Sequence, residues 1–356
     1  MVHRRRFLAS LLAAGAAPRL GWAAVGNPSY LAAAREPDGS FALYGLDSHG
    51  ASTFRVPLPA RGHAGAGHPR RAEAVAFARR PGTFALVVDC ASGAVLNRLS
   101  PPDDRQFNGH GVYAEGGAIL LTSEQVRDTS DGVIGIWDVE AGYARSGELR
   151  SGGIGPHDLR VMPDGGTLVV ANGGIATDPA DRRKLNLATM RPNLTYLSLS
   201  GQVRDQVELE SDLRQNSIRH LAVRHDGLTG FAMQWQGEPG AAIPLLGLHR
   251  MGDAPILAGA PLADELAMRG YAGSVAFNGA GGEIAITSPR GGRMHRFSDD
   301  GAFLAALSRA DVCGLAPMDR GYLASDGLGG LISIGATAPT PLTRAECAWD
   351  NHIVSL

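Results

Sequence analysis

The chain has 356 residues, 44% of them hydrophobic, and its 33 basic residues nearly balance 35 acidic ones. Ordinary apolar content with modest charge excludes a disordered chain, and the absence of a basic stripe excludes a general nucleic-acid binder. No apolar stretch reaches the roughly 18 residues that a membrane-spanning helix requires, so no membrane span is predicted.

The first 24 residues have the pattern of an export signal. Three arginines at positions 4–6 precede Phe7 and Leu8, and an alanine-rich apolar segment follows. An arginine pair, one further residue and Phe-Leu are typical of twin-arginine signals, and an ordinary secretory signal is the alternative. We therefore predict a signal peptide over residues 1–24 and a mature chain in the periplasm. Because the twin-arginine route carries folded proteins, it favours a cofactor inserted before export.

A four-strand unit recurs along the rest of the chain. Short alternating apolar runs are separated by Gly, Pro-Asp-Gly or Asp-rich turns, which is the pattern of antiparallel strands. Gly and Pro interrupt nearly every long periodic stretch, so few helices are expected. The spacing of the units, mostly about 40–60 residues, lies in the range of propeller blades with loop insertions. The predicted opening strands begin at Glu73, His110, His157, His220, Ser274, Gly314 and His352.

The two ends of the chain complete one unit between them. The strand that starts at Ser29 has no opening strand before it, and the strand from His352 has no second strand after it. Pairing of these terminal strands closes a ring and removes its exposed edges. The sequence therefore predicts an all-β fold, a single seven-bladed β-propeller over residues 25–356. A six-bladed propeller or two sandwiches are the alternatives.

One long segment interrupts this regularity. Residues 173–193 are polar and rich in arginine, and they fall between the second and third strands of one blade. Long loops in compact folds are usually functional covers or partner contacts. We predict a lid-like insertion here.

Four histidines occupy the same phase of the repeat, at the start of an opening strand. Residues at one phase of a ring of repeats converge in space, and the innermost strand of each propeller blade lines the central channel. The other three blades supply small residues at this phase, predicted as Ala74, Ser274 and Gly314. Convergent neutral imidazoles are typical transition-metal ligands. The predicted metal ligands are His110, His157, His220 and His352.

Further residues could complete such a site. Acidic side chains adjoin the phase positions, and a Gly-rich stretch before the second blade holds two more histidines. They could act as extra ligands or as acceptors that fix an imidazole tautomer. The alternative is that each histidine only hydrogen-bonds a neighbouring backbone. These additional candidates are Glu73, Asp158, Asp350, His63 and His68.

Cysteine usage adds little chemistry. The chain has three cysteines and no CxxCH motif, so no covalently attached haem is predicted. A disulfide between Cys313 and Cys347 and three buried free thiols are both compatible with an exported protein.

Several strings together resemble one bacterial family. They are GHGVY, SGGIGPHDLRVMPDGGTLVVANGGI, KLNLATMRPNL, SIRHLAV, GSVAF with TSPRGG, and the terminal WDNH. The family resembled is one of twin-arginine-exported periplasmic propellers of unknown function, encoded beside imelysin-like proteins in iron-responsive clusters. The resemblance implies a role in periplasmic iron or copper handling and an imelysin-like partner, but no reaction and no site residues.

Three functions are compatible with these features. The first is a metal-binding protein for iron or copper, in preference to zinc: the resemblance favours iron, and an all-imidazole ligand set favours copper. The second is a metal-dependent enzyme, either a lactonase-like hydrolase with Glu73 or Asp350 as general base or an oxidoreductase. The third is a metal-free scaffold for an imelysin-like partner.

Overall fold

The computed structural model describes residues 20–79, 84–181, 183–336 and 338–356, and within these ranges 28 strands form seven four-stranded antiparallel sheets. The predicted signal peptide lies outside the described residues except for positions 20–24. Those positions lead into a 3₁₀ turn, Trp22–Val25, whose Trp22 Nε1 donates to the carbonyl oxygen of His68 at 2.9 Å.

The sheets follow one another around a ring as blades 1 to 7. Blades 1 to 4 consist of β1 (Tyr30–Arg35), β2 (Phe41–Leu46) and β3 (Ser52–Leu58); β4 (Gly62–Gly67), β5 (Glu73–Ala78), β6 (Ala85–Asp89) and β7 (Val95–Leu99); β8 (Arg105–Ala114), β9 (Ile119–Val126), β10 (Asp131–Asp138) and β11 (Ala144–Ile154); and β12 (Pro156–Val161), β13 (Thr167–Asn172), β14 (Asn193–Ser198) and β15 (Val203–Glu208). Blades 5 to 7 consist of β16 (Asn216–Val223), β17 (Thr229–Trp235), β18 (Leu246–His249) and β19 (Ile256–Ala258); β20 (Ser274–Phe277), β21 (Glu283–Ser288), β22 (Arg293–Ser298) and β23 (Phe303–Ser308); and β24 (Val312–Met318), β25 (Gly321–Asp326), β26 (Gly330–Ile334) and β27 (Thr340–Arg344). The last strand, β28 (Ala348–Ser355), is the innermost strand of blade 1.

Blade 1 closes the ring as the sequence predicts. β28 pairs antiparallel with β1, with Tyr30 opposite Ser355 and Ala32 opposite Ile353. The innermost strand of each blade contacts that of the next, and β24 of blade 7 contacts β28. The prediction of an all-β, seven-bladed propeller closed by its terminal strands is therefore confirmed.

The predicted opening strand of blade 2 is wrong. The strand that begins at Glu73 is β5, the second strand of its sheet, and β4 is innermost. β4 reads GHAGAG, and glycine-rich segments usually indicate loops because Gly and Ala have low strand propensity. Small residues are required here, since a Cβ on Gly67 would lie 1.9 Å from Leu356 Cδ2 and one on Gly62 would lie 2.9 Å from the Ala33 Cβ.

The hydrophobic core lies between neighbouring blades. Between blades 2 and 3, Phe77 and Val87 pack with Leu120 and Trp137, and all four are buried. Comparable apolar layers separate the other sheets, because the alternating residues of each strand face the adjacent blades. This packing between blades holds the inner strands in place around the central channel.

Few helical segments occur in the described ranges. Besides the first 3₁₀ turn there are two more, Glu115–Gly117 and Ser211–Leu213, and one α-helix, α1 (Leu262–Ala267), between blades 5 and 6. Within the same ranges, none of these is long and apolar enough to cross a membrane. The predicted insertion connects β13 to β14 of blade 4, and it contains a bridge between Thr177 and Lys184.

Cys90, Cys313 and Cys347 are free thiols, and all three are buried. Of the two alternatives considered from the sequence, the structure has the buried thiols and not the Cys313–Cys347 disulfide. Burial raises the pKa of the Cys313 thiol to about 12, so this group stays protonated and behaves as a small apolar side chain.

Glu265 on α1 makes stability depend on pH. Burial raises the pKa of this carboxyl from 4.5 to about 7, although its Oε1 accepts a hydrogen bond from the Ala260 amide. The folded state therefore binds the proton more tightly, and this contribution to stability is present below about pH 4.5 and is lost as the pH rises through about 7.

Glu265→Gln keeps the acceptor and removes the charge. We expect it to raise the free energy of unfolding by about 1–3 kcal/mol at pH 8 and to have little effect at pH 4.5, measured by denaturant titration. Glu346→Gln, at an exposed position, is the matched control. An equal change at both pH values would contradict the assignment.

Candidate metal centre

The inner strands share a local irregularity at the predicted phase. Six of the seven carry a β-bulge there, in which the inner strand has extra residues relative to its partner. In β12, for example, Pro156 pairs with Asn172 and Asp158 pairs with Ala171, so His157 is the extra residue. Bulges bend a strand and re-aim a side chain. Here they direct side chains toward the channel axis.

Five histidines from five consecutive blades meet at this point. All are at most 8% exposed, and they come from blades 1 to 5 in ring order: His352, His63, His110, His157 and His220. Four of them lie within a bulge, and His220 follows one directly. The four histidines predicted from the sequence thus lie together, and His63 from the corrected strand β4 joins them.

The ring contacts have a simple arrangement. Four rings form a cycle with centroid separations of 5.7 Å for His63–His157, 4.6 Å for His157–His220, 4.7 Å for His220–His352 and 4.6 Å for His352–His63. His110 contacts all four at 4.8–5.8 Å. An imidazole nitrogen lies about 2.0–2.1 Å from a bound ion, so neighbouring rings around one ion are about 4.5–5.5 Å apart. The cluster has nearly this spacing.

Ring nitrogens in the cluster lack hydrogen-bond partners within the described part of the chain. They are His63 Nδ1, His110 Nε2, His220 Nδ1 and His352 Nε2, all inaccessible to solvent. A buried polar atom without a partner costs about 1–3 kcal/mol, and such groups in a native structure require an explanation. A metal ion bound to these lone pairs supplies one, so the residues present fit a transition-metal ion.

Asp158 sets the orientation of His110. Its Oδ1 lies 3.3 Å from His110 Nδ1, while Oδ2 accepts the Leu221 amide at 3.0 Å and lies 3.3 Å from Arg160 Nη2. Burial disfavours the carboxylate, but Arg160 and the hydrogen bond from His110 outweigh it and hold the pKa of Asp158 well below its usual range. The carboxylate thus fixes the proton of His110 on Nδ1 and leaves Nε2 as the ligand atom.

Two groups of three histidines could hold a metal ion. One consists of His63, His110 and His352, the other of His110, His157 and His220, and within each group the ligand atoms lie within 4.8 Å of one another. Three nitrogens are sufficient for an ion with an open coordination position. Because only Nε2 of His110 is available, and His110 belongs to both groups, the geometry accommodates one ion at a time.

Three of the five imidazoles are held in the neutral form that binds metals. Burial first, and then the neighbouring imidazoles, hold the pKa values of His63 and His352 well below the ordinary value. The same causes lower the pKa of His220 to about 3. Since protonated imidazole cannot coordinate, this environment keeps the ligands ready at neutral pH.

The cluster separates two cavities of the channel. A cavity of about 460 Å³ opens at one mouth, and His63, His157 and His220 line it. On the other side His110, His220 and His352 line a much smaller cavity of about 30 Å³, together with Asp158. An ion can therefore be reached from the wider mouth, while His110 and its carboxylate lie behind the cluster.

The structure places the remaining predicted residues away from the cluster. Glu73 Oε2 accepts a hydrogen bond from Tyr143 at 3.1 Å, between blades 2 and 3. His68 Nδ1 accepts the backbone amides of Arg70 and Arg71 and so stabilises the β4–β5 turn.

Asp350 is bound by Arg61, whose Nε lies 2.5 Å from its Oδ2. Of the additional candidates, the structure therefore brings only His63 and Asp158 to the histidines. The sequence predicts His63 only as an extra ligand. Its position about 47 residues before His110, which is one blade spacing, is the signal that could have placed it among the predicted ligands.

Fold and cluster together define a class: a seven-bladed β-propeller with histidine groups at the channel that could hold a metal ion. The chain belongs to the family described as "Protein of unknown function (DUF1513)", whose model matches residues 56–356. The resemblance to a propeller family of unknown function is confirmed to this extent. A comparison with curated proteins found no match.

Among solved structures, a chain titled "Kuenenia stuttgartiensis Hydrazine Synthase" is similar, with a TM-score of 0.59 and 14% identity over 89% of this chain and 96% of that one. At this identity the likeness shows the fold alone. Because 909 chains of solved structures match, the fold is widespread and does not select a function.

Proposed function

We propose that the protein binds one transition-metal ion in its histidine cluster and takes part in periplasmic uptake or handling of iron or copper. The observation that carries the proposal is the convergence of five buried imidazoles, together with the unpartnered ring nitrogens of His63, His110, His220 and His352 among the described residues. Apolar side chains would fill the channel at a lower free-energy cost than these imidazoles, because each buried polar atom left without a partner destabilises the folded state.

The ligand set bears on the choice of metal. Both three-histidine groups are all-nitrogen, and Asp158, the nearest carboxylate, is engaged by His110, Arg160 and two backbone amides. Imidazole suits copper, iron and zinc, and Cu²⁺ binds most strongly of the first-row divalent ions. This donor set supports copper, while iron is supported by the resemblance to a family from iron-responsive clusters.

Elemental analysis of the purified protein tests the proposal. After expression with its own leader and isolation from the periplasm, we expect close to one iron or copper ion per chain. His157→Ala combined with His220→Ala should remove it, whereas His225→Ala, at an exposed position outside the cluster, should not. An empty wild-type protein that also fails to take up iron or copper in vitro would refute the proposal.

No observation favours the hydrolase alternative over binding. Both carboxylates considered as its general base, Glu73 and Asp350, are bonded to Tyr143 and Arg61. An oxidoreductase needs no such base, and redox-dye reduction by the metal-loaded protein distinguishes it from a binding protein.

Location and partner are part of the same proposal. The arginine pair at the N-terminus supports export by the twin-arginine route, and the family resemblance supports an imelysin-like partner. Residues 173–193 are the surface considered for that contact. Fractionation of cells and co-purification with and without this loop test both; unchanged co-purification after loop deletion would count against the loop.

A further inference from the structure

The mouth cavity above the histidine cluster is strongly cationic. Among the described residues that line it there are four basic side chains and no Asp or Glu. They come from four separate regions: Arg79 follows β5, Lys184 belongs to the β13–β14 loop, Arg219 is in β16, and Arg290 follows β21. Many other arginines of the described chain lie beside an acidic side chain, whereas no acidic side chain is among the described residues that line this cavity.

The cations lie close enough to affect one another. The pKa of Lys184 is lowered, by burial first and then by repulsion from Arg219 and Arg290. Lys184 Nζ donates to Gln236, and the Arg290 guanidinium stacks over the Tyr271 ring at 4.2 Å from its centre. These contacts position Lys184 and Arg290 without neutralising them, because neither Gln236 nor Tyr271 supplies a carboxylate. Such a site attracts an anion that can replace the mutual repulsion with charge-assisted hydrogen bonds.

The cavity has the size and lining for a small ligand. Its volume of about 460 Å³ lies within the range of small-molecule sites. Trp235 and Tyr271 supply aromatic walls, and Thr177, Gln234 and Asn351 supply neutral hydrogen-bonding groups. At the base lie His63 and His220, both buried, each with a ring nitrogen that lacks a hydrogen-bond partner in the described ranges.

We propose that this mouth cavity is a binding site for a small multivalent oxyanion, held by Lys184, Arg219 and Arg290. The shared chemistry is that of a di- or tricarboxylate or a phosphate, with at least two negative charges. Anion binding here does not require a metal. We extend the proposal to contact between this anion and the ion held by the histidines, with the two entering the protein together. This extension rests on the proposed function.

Isothermal titration of the metal-stripped protein tests the site, with citrate and inorganic phosphate as probes and chloride as the monovalent reference. We expect saturable binding of citrate, phosphate or both at a stoichiometry of one, in the micromolar to low-millimolar range, weakening with ionic strength. Tighter binding of citrate would identify a carboxylate ligand, and tighter binding of phosphate would identify a phosphate ligand.

The double variant Lys184→Gln with Arg290→Gln should weaken binding about 10-fold or more, because it removes two charge-assisted contacts. Arg344→Gln, an exposed change on the outer strand of blade 7, should leave it unchanged. Unaltered thermal unfolding of the double variant shows that the fold is intact.

The proposal is overturned if neither probe binds saturably, or if the double variant binds as the wild type does. Metal content is measured separately on the same variants. A wild-type protein that binds the anion but takes up no iron or copper would refute the proposed function and leave the anion site standing.

Discussion

His110→Ala is expected to abolish metal binding. His110 contacts all four other imidazoles and belongs to both groups of three that could hold an ion. Removing its Nε2 leaves two ligands in either group, fewer than the three protein ligands typical of an open metal site. The expected result is a fall in affinity of at least about 1000-fold, measured by competition with a chromophoric chelator.

The other histidines then identify the group that binds. We expect His157→Ala and His220→Ala to lose most of the affinity and His63→Ala to retain it, because the group of blades 3 to 5 has two members at the wider mouth. His295→Ala, a buried histidine outside the cluster, controls for the loss of any interior imidazole. Metal binding that survives His110→Ala would refute both groups.

Asp158→Asn is expected to weaken metal binding without removing a ligand. The amide keeps an acceptor for the Leu221 backbone but removes the negative charge that fixes the proton of His110 on Nδ1. Loss of such a carboxylate partner typically costs about 10–100-fold in metal affinity. Chelator competition measures the change, and circular dichroism confirms that the fold is kept.

Asp350→Asn is the matched control for this change. Asp350 is also a buried carboxylate on an inner strand and lies two residues before His352, but its partner is Arg61. We therefore expect Asp350→Asn to leave metal affinity within about 3-fold of wild type, well below the change expected for a residue in direct contact with a ligand. Equal losses in the two variants would show that buried charge, and not the contact with His110, is responsible.

Much of the fold could be predicted because its determinants are local in sequence. Period-two alternation predicts the strands, and the incomplete units at Ser29 and His352 predict the closure of the ring. The strand β4 was not predicted because its small residues are required by the space available. Gly62 and Gly67 face neighbours that leave no room for a Cβ. Sequence periodicity reports large apolar side chains at alternate positions, and β4, which reads GHAGAG, has none.

The sequence predicts which histidines share a position in the repeat, but not the direction in which their side chains point. Four of the five clustered histidines share a phase, and this is a property of the repeat. The bulges that turn them inward depend on pairing with the second strand, as where Ile218 and His220 oppose Met233 and Ala232. The same dependence separates Asp158, which reaches His110, from Glu73, which faces Tyr143. Both are acidic residues beside a predicted phase position, and only the register distinguishes them.

The closing strand of blade 1 has a consequence for when an ion can enter. β28 follows all the other blades along the chain, yet its His352 is in ring contact with His63, His110 and His220. The wall that it supplies is absent until the ring shuts, so an ion bound by His63, His110 and His352 can be acquired only by an essentially complete ring. The other group, His110, His157 and His220, lies on blades that precede β28 along the chain and does not depend on this closure. If the chain is exported by the twin-arginine route proposed for it, the ring shuts before export. The metal supply of the cytoplasm, and not that of the periplasm, would then choose the first occupant.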